Sequence, residues 1–143
     1  LYLTKDVWPD FISCVLAVPE EVIKKDRAKV QELVNGIAKS GKWLDQSMDH
    51  RMQSADFVAK HYYNQNPRLL EFVLSKPPDR VKYTKLAPLK KDFEEINALG
   101  VEGGILNRKL KFEDYVDDSF STNDSAIEPY HWEMQTNEAK LIR

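Results

Sequence analysis

The 143-residue sequence predicts a mainly α-helical chain with one or two short strands. Three observations carry that expectation. Residues 11–18 read FISCVLAV, an uncharged apolar run held between Pro9 and Pro19. Beyond Pro19 the apolar positions recur at i, i+3, i+4 and i+7, the spacing of amphipathic helices. Only residues 80–83 offer a second strand, a weak one in which Val81 alternates with Tyr83.

Taken in order, FISCVLAV follows Trp8-Pro9-Asp10 and stops at Pro19, the pattern of a buried strand with the Cys14 thiol packed inside it. A buried strand must pair its backbone N–H and C=O groups. No later segment matches it, so its sheet is expected to lie mostly outside this sequence. Pro19 followed by Glu20 and Glu21 opens a short helix to about Lys25, because the missing N–H costs nothing in a first turn and the dipole favours acids there. Asp26 caps the longest helix, whose stripe is Val30, Leu33, Val34, Ile37, Gly41 and Leu44.

Asp49 is read as the cap of a third helix carrying Met52, Ala55, Val58, Ala59 and Tyr62. Asn66-Pro67 caps and opens a fourth, with Leu69, Leu70, Val73 and Leu74 as its stripe. Pro77-Pro78 ends it and starts an extended linker. A fifth helix is expected from near Pro88, turning Leu89, Phe93, Ile96 and Leu99 inward, with Gly100 as its left-handed cap and Gly103-Gly104 as a turn. Residues 112–120 (FEDYVDDSF) predict one last short helix docking Phe112, Tyr115, Val116 and Phe120. From Ser121 the periodicity is lost, so residues 121–143 read as a polar C-terminal extension of a unit spanning 1–120.

Hydrophobic residues make up 42% of the chain and charged ones 31%, which fits one soluble domain with a real core. Lys and Arg number 21 against 23 Asp and Glu, so no electrostatic case for a nucleic-acid partner exists. The longest uninterrupted apolar stretch, residues 14–18, is far short of the roughly 20 residues of a membrane helix. Cys14 is the one cysteine and cannot form an intramolecular disulfide. The chain starts at Leu1 without a charged and apolar leader, which suggests a processed chain or a fragment.

No catalytic or metal site is expected, and no cofactor. His50 and His61 point nearly the same way on a helix but stand about 16 Å apart along it, too far to share one metal. His131 has no metal-ligand spacing around it, and Cys14 has no base identifiable from sequence. Glu94-Glu95 and Asp117-Asp118 are sequence neighbours that diverge on a helix, the pattern of a solvated face rather than an acid/base pair. Trp43, Tyr62 and Tyr63 have the spacing of packing residues, and there is no glycine-rich phosphate loop.

Four stretches in combination, VWPDFISCVLAVPEEVIKKD, KVQELVNGIAKSGKWLDQS, NPRLLEFVLSKPPDRVKYTKLAPLKKDFEEI and LKFEDYVDDSF, resemble the substrate-binding proteins of ABC importers of the nitrate, sulfonate and taurine type (NMT1/SsuA-like). The resemblance runs from about Lys5 to Phe120. It implies the C-terminal part of a two-lobe α/β periplasmic-binding-protein fold of type II, with residues 11–18 as the returning crossover strand and about six helices cladding one lobe. It further implies a periplasmic or extracytoplasmic, non-enzymatic solute receptor working by hinge closure. Its partners would be a small nitrogen- or sulfur-containing, anionic solute and the permease subunits of the importer.

The cleft of such a receptor opens just before the crossover strand, which makes Trp8 and Pro9 the candidate ligand-binding pair, with Asp6 or Lys5 as polar contacts. The packing alternative is that Trp8 covers a lobe edge while Pro9 only sets the turn. The same fold family includes proteins resembling thiamine-pyrimidine synthases, an enzymatic alternative from whose cysteine-rich stretch this sequence departs. A purely helical interaction module is the third reading. With sheet partners missing, the edge of 11–18 is expected to pair with another copy, giving a homodimer or swapped oligomer.

Overall fold

Residues 26–75 build the centre of the molecule, where side-chain caps at Asp26, Ser47 and Asn66 start three successive helices. The computed structural model describes residues 3–9, 11–83 (Tyr63 by its backbone), 85–121 and 128–129. Six α-helices form among them: α1 Thr4–Val7, α2 Glu20–Lys25, α3 Arg27–Gln46, α4 Met48–Val58, α5 Pro67–Ser75 and α6 Lys90–Glu102. A π-helical turn, Ala59–Tyr63, extends α4, and two 3₁₀ turns, Phe112–Asp114 and Asp118–Phe120, close the described chain. Asp10, His131 and nearly all of the 121–143 extension lie outside the described residues.

Asp26 caps α3 by accepting from the Lys29 N–H at 3.2 Å, as its sequence position predicts. The third helix starts differently. Ser47, extended at φ −158° and ψ 157°, accepts from the His50 N–H at 3.1 Å, so Ser47 is the cap and Asp49 sits in the first turn. Asn66 accepts from the Arg68 N–H at 3.0 Å, Pro67 takes the first helical position, and α5 ends at Ser75, just before the two prolines.

The described residues contain no strand, which corrects the expectation of one or two. Residues 11–19 run without regular structure, and from Ile12 to Val18 no backbone hydrogen bond forms among the described residues. Val15 is 62% exposed and Leu16 47%, and Cys14 is exposed rather than packed. The physical reason is the lack of a neighbour: an apolar run acquires strand geometry only through a ladder. Residues 80–83 form no strand either, because Tyr83 donates its N–H to a side chain, Asp45 Oδ2, at 2.8 Å.

Two more expectations are corrected toward the C-terminus. Helix α6 runs through Gly100 to Glu102, and the carbonyl of Gly100 accepts from the N–H groups of Ile105 and Leu106, both at 2.9 Å. The turn comes at Gly103 and Gly104, where Gly104 takes φ +70°. Residues 112–120 form two separate 3₁₀ turns instead of one helix, the second capped by Asp117 through the Ser119 N–H at 3.2 Å. Leu89, Ile96 and Leu99 are exposed by 38–47% rather than inward, whereas Phe93 packs on Phe112 and Tyr115 at ring separations of 5.6 and 6.0 Å.

The central core holds Val30, Ala38, Trp43, Ala55 and Ala59, with Arg51 buried among them. Arg51 donates to the carbonyls of Leu44 (3.3 Å), Leu74 (3.4 Å) and Pro78 (3.2 Å) and pairs with Asp45 at 2.5 Å. One guanidinium thereby ties the end of α3, the end of α5 and the 76–83 loop to α4. Gly41 admits that loop onto α3, since a Cβ there would stand 2.7 Å from Tyr83 Cβ. Asn97, also buried, holds Leu110 by both its backbone groups, at 2.9 and 3.2 Å.

Removing one partner of a buried ion pair leaves the other charge uncompensated. Arg51→Ala is therefore expected to cost about 3–5 kcal/mol in urea unfolding. A cost below about 1 kcal/mol, the range of exposed pairs, would contradict the central role given to Arg51.

Candidate functional site

The four sequence candidates, Lys5, Asp6, Trp8 and Pro9, sit on or just beyond the single turn α1. Asp6 closes that turn by accepting from the Leu3 N–H at 3.2 Å, and Trp8 donates its N–H to Thr4 O at 2.8 Å. The Trp8 ring meets Phe11 at 6.0 Å and 40°, so it leans on the start of the apolar run and is only half-buried. Pro9 is exposed and fixes the exit from the turn.

The structure brings Lys5 and Asp6 together and adds a residue that sequence reasoning missed. Lys5 Nζ lies 3.0 Å from Asp79 Oδ2 and 3.6 Å from Asp6 Oδ1. Asp79 was foreshadowed by its place after Pro77-Pro78, a rigid turn that presents the next side chain, but nothing in the sequence pairs it with a lysine 74 positions earlier. The loop that carries Asp79 is anchored from below by Arg51 on Pro78 O and by Asp45 on the Tyr83 N–H. One ammonium is thus flanked by two carboxylates, on the same single turn that Trp8 ends.

That arrangement offers no bare cation. The Asp79 carboxylate, hydrogen-bonded to Lys5, sits below the usual carboxylate range, and the Lys5 ammonium is held above its ordinary value chiefly by the same hydrogen bond. An anion reaching Lys5 must displace Asp79 or bridge to it. Because the pair is solvent-exposed, that exchange is inexpensive.

A concavity lies elsewhere. An open groove of about 740 Å³ runs along α3, lined by Leu33, Gly36, Ile37, Ser40, Leu44 and Tyr83 among others. None of Lys5, Asp6, Trp8 or Pro9 lines it. Its walls are mostly apolar, so it suits a hydrophobic segment rather than a small polar solute.

Of the other residues weighed for chemistry, the two described histidines lie against aromatic rings. His50 stacks on Trp43 at 4.3 Å and 6°, with Nδ1 2.7 Å from the Trp43 carbonyl oxygen, while His61 rests against Phe57 at 4.7 Å. Tyr62 is 61% exposed, which corrects its place in the predicted core stripe. Asp117 turns to Arg27 at 3.2 Å, away from an acid/base pairing with Asp118. Among the described residues no cluster of three or more His, Cys, Asp or Glu could hold a metal.

The Lys5–Asp79 pair gives a pH signature whose sign is fixed by the depressed carboxylate. The contribution is present above the unfolded-state value and is lost as pH falls through the folded one. In an NMR titration Asp79 is expected to protonate below 3.8, and Lys5→Ala is expected to return it toward 3.8. An unchanged midpoint in Lys5→Ala would show that the pair does not form in solution.

Residues 1–59 match the model of the NMT1-like family. No curated protein and no solved structure matches the chain. The match takes in Lys5, Asp6, Trp8 and Pro9, the apolar run and helices α1 to α4. Over this part the chain is similar to that family.

Proposed function

We propose that this chain is part of an extracytoplasmic solute-binding protein that serves an ABC importer. The observation that carries the reading is the NMT1-like match over residues 1–59, a stretch that includes all four candidate ligand residues. That family is mostly one of substrate-binding proteins, which are not enzymes. The unpaired run at 11–18 supports the finer reading, in which it is the crossover strand of a two-lobe fold and the helices after it clad one lobe. Mechanistically, the lobes close about this crossover on a small nitrogen- or sulfur-containing anionic solute and deliver it to the permease.

In this reading Trp8 supplies an apolar face, Pro9 holds it rigid, and Lys5 supplies the charge. Asp6 and Asp79 keep Lys5 in place until the solute arrives, so binding is an exchange of carboxylates rather than the filling of an empty cationic pocket. A purely helical interaction module is the second reading, favoured by the lack of a paired strand among the described residues.

A thermal-shift panel on the intact parent chain, with nitrate, bicarbonate, taurine, alkanesulfonates, aromatic carboxylates and thiamine pyrimidines, separates these readings. A solute bound only by the folded state at about 100 times its Kd adds about 2.7 kcal/mol of stability. One solute class is expected to raise the midpoint, and Trp8→Ala is expected to abolish the rise. No shift with any solute would overturn the receptor reading, and a shift only with thiamine pyrimidines would favour the enzymatic alternative.

A further inference from the structure

The described hydrogen bonds divide the chain after Asp26 into two bodies, each closed on itself. In the first, residues 26–83, Arg51 and Asp45 tie α3, α4, α5 and the 76–83 loop together. In the second, residues 89–116, Asn97 grips both backbone groups of Leu110, Lys90 pairs with Glu113 at 2.7 Å, and Gly100 O accepts from Ile105 and Leu106. The rings of Phe93, Phe112 and Tyr115 stand 5.6–6.3 Å apart inside it. Helix α6 packs on the Phe112–Asp114 turn, and among the described elements neither α3, α4 nor α5 packs on α6 to a comparable extent.

The second body meets the first at its two ends. At one end the chain crosses between Tyr83 and Lys90, where Leu86 Cδ1 lies 3.4 Å from the place a Cβ on Gly41 would take. At the other, Arg27 at the start of α3 donates to Asp117 Oδ2 at 3.2 Å and to Ser119 Oγ at 2.5 Å. The same guanidinium lies 3.9 Å over the Phe120 ring. Gln31, one turn further along α3, donates to Phe120 O at 3.0 Å. Phe120 is buried at this clasp, although Asp117, Asp118 and Ser119 before it are exposed.

We propose that residues 89–120 are a strap that opens as one unit while the Arg51 frame stays closed, and that Arg27 is the clasp that holds it shut. Opening costs the frame none of its central hydrogen bonds, because those of Arg51 and Asp45 end within residues 44–83. The clasp is made at the surface, with the Arg27 side chain 52% exposed, where an ion pair or a cation–π contact is weak. One substitution there removes most of it. Apart from Phe120, the buried residues of the strap among those described are Asn97 and Phe112. A segment well under about 40 residues with so small a core does not stay folded alone, so opening the strap also unfolds it.

This inference stands apart from the solute reading, since it concerns the chain without solute. Native-state hydrogen exchange on the full chain tests it, because a unit that opens separately exchanges its amides together. The amides of Ile96, Asn97 and Leu110 are expected to exchange at one common rate, faster than Tyr83 and the interior of α4. Arg27→Ala is expected to speed Ile96, Asn97 and Leu110 about tenfold, the loss of an exposed ion pair together with a cation–π contact, and to leave Tyr83 unchanged. Lys29→Ala removes the neighbouring 2.7 Å contact with Asp26 and touches no described residue of the strap, so it is expected to leave Leu110 unchanged. Equal acceleration of Tyr83 and Leu110 in Arg27→Ala would make the two bodies one cooperative unit and overturn the proposal. No change at Leu110 in Arg27→Ala, or an equal change in Lys29→Ala, would overturn the role of the clasp.

Discussion

The buried Arg51–Asp45 pair is the constraint on which the rest of the arrangement depends. Asp45 uses one carboxylate oxygen for Arg51 and the other for the Tyr83 N–H, while Arg51 donates from Nε and Nη1 to three carbonyls from three different segments. No buried side-chain polar atom among the described residues is left without a partner, so desolvation of the two charges is met by a filled set of hydrogen bonds. A hydrophobic pair could fill the same space. It could not hold the carbonyls of Leu44, Leu74 and Pro78, each of which lies at or beyond a helix end and has no ladder partner.

From that knot the geometry of the candidate site follows. Fixing Pro78 and Tyr83 fixes the loop between them, which carries Asp79 out to Lys5, while Gly41 lets the loop lie close against α3. The chain of cause runs from a buried charge, through a tethered loop, to the exposed Lys5–Asp79 ion pair. The C-terminal side is fastened separately, by Arg27 stacked 3.9 Å over the Phe120 ring and by Gln31 donating to Phe120 O at 3.0 Å. Both ends of the described chain are thereby tied to helix α3 or to the loop packed on it.

Helix positions were legible wherever the signal is local. Asp26, Asn66, Pro67 and Pro77 act within one turn of themselves, and each acts as its sequence position predicts. Asp49 lost the capping role to Ser47 because a cap is decided by backbone conformation, and only Ser47 leaves α3 with an extended backbone. Gly100 reads as a cap from its position after the apolar stripe, yet the returning Leu106 packs against it, with a Cβ there 3.0 Å from Leu106 Cδ1. The Lys5–Asp79 contact was illegible because it joins surface residues 74 positions apart through a loop whose course is set by Arg51. For residues 11–18 the sequence reports burial on both faces, which describes the segment with a sheet around it, whereas the described residues supply none.

The central claim is that a helical frame knotted at Arg51 carries an apolar run, residues 11–18, with no backbone partner from Ile12 to Val18 among the described residues. Native-state hydrogen exchange tests it most directly, because each amide reports its own opening. In dilute protein, the amides of residues 12–18 are expected to exchange near the rate of an unstructured chain, while Tyr83 and the interior of α4 are protected together. Strong protection of residues 12–18 under those conditions, or exchange of Tyr83 as fast as theirs, would contradict it.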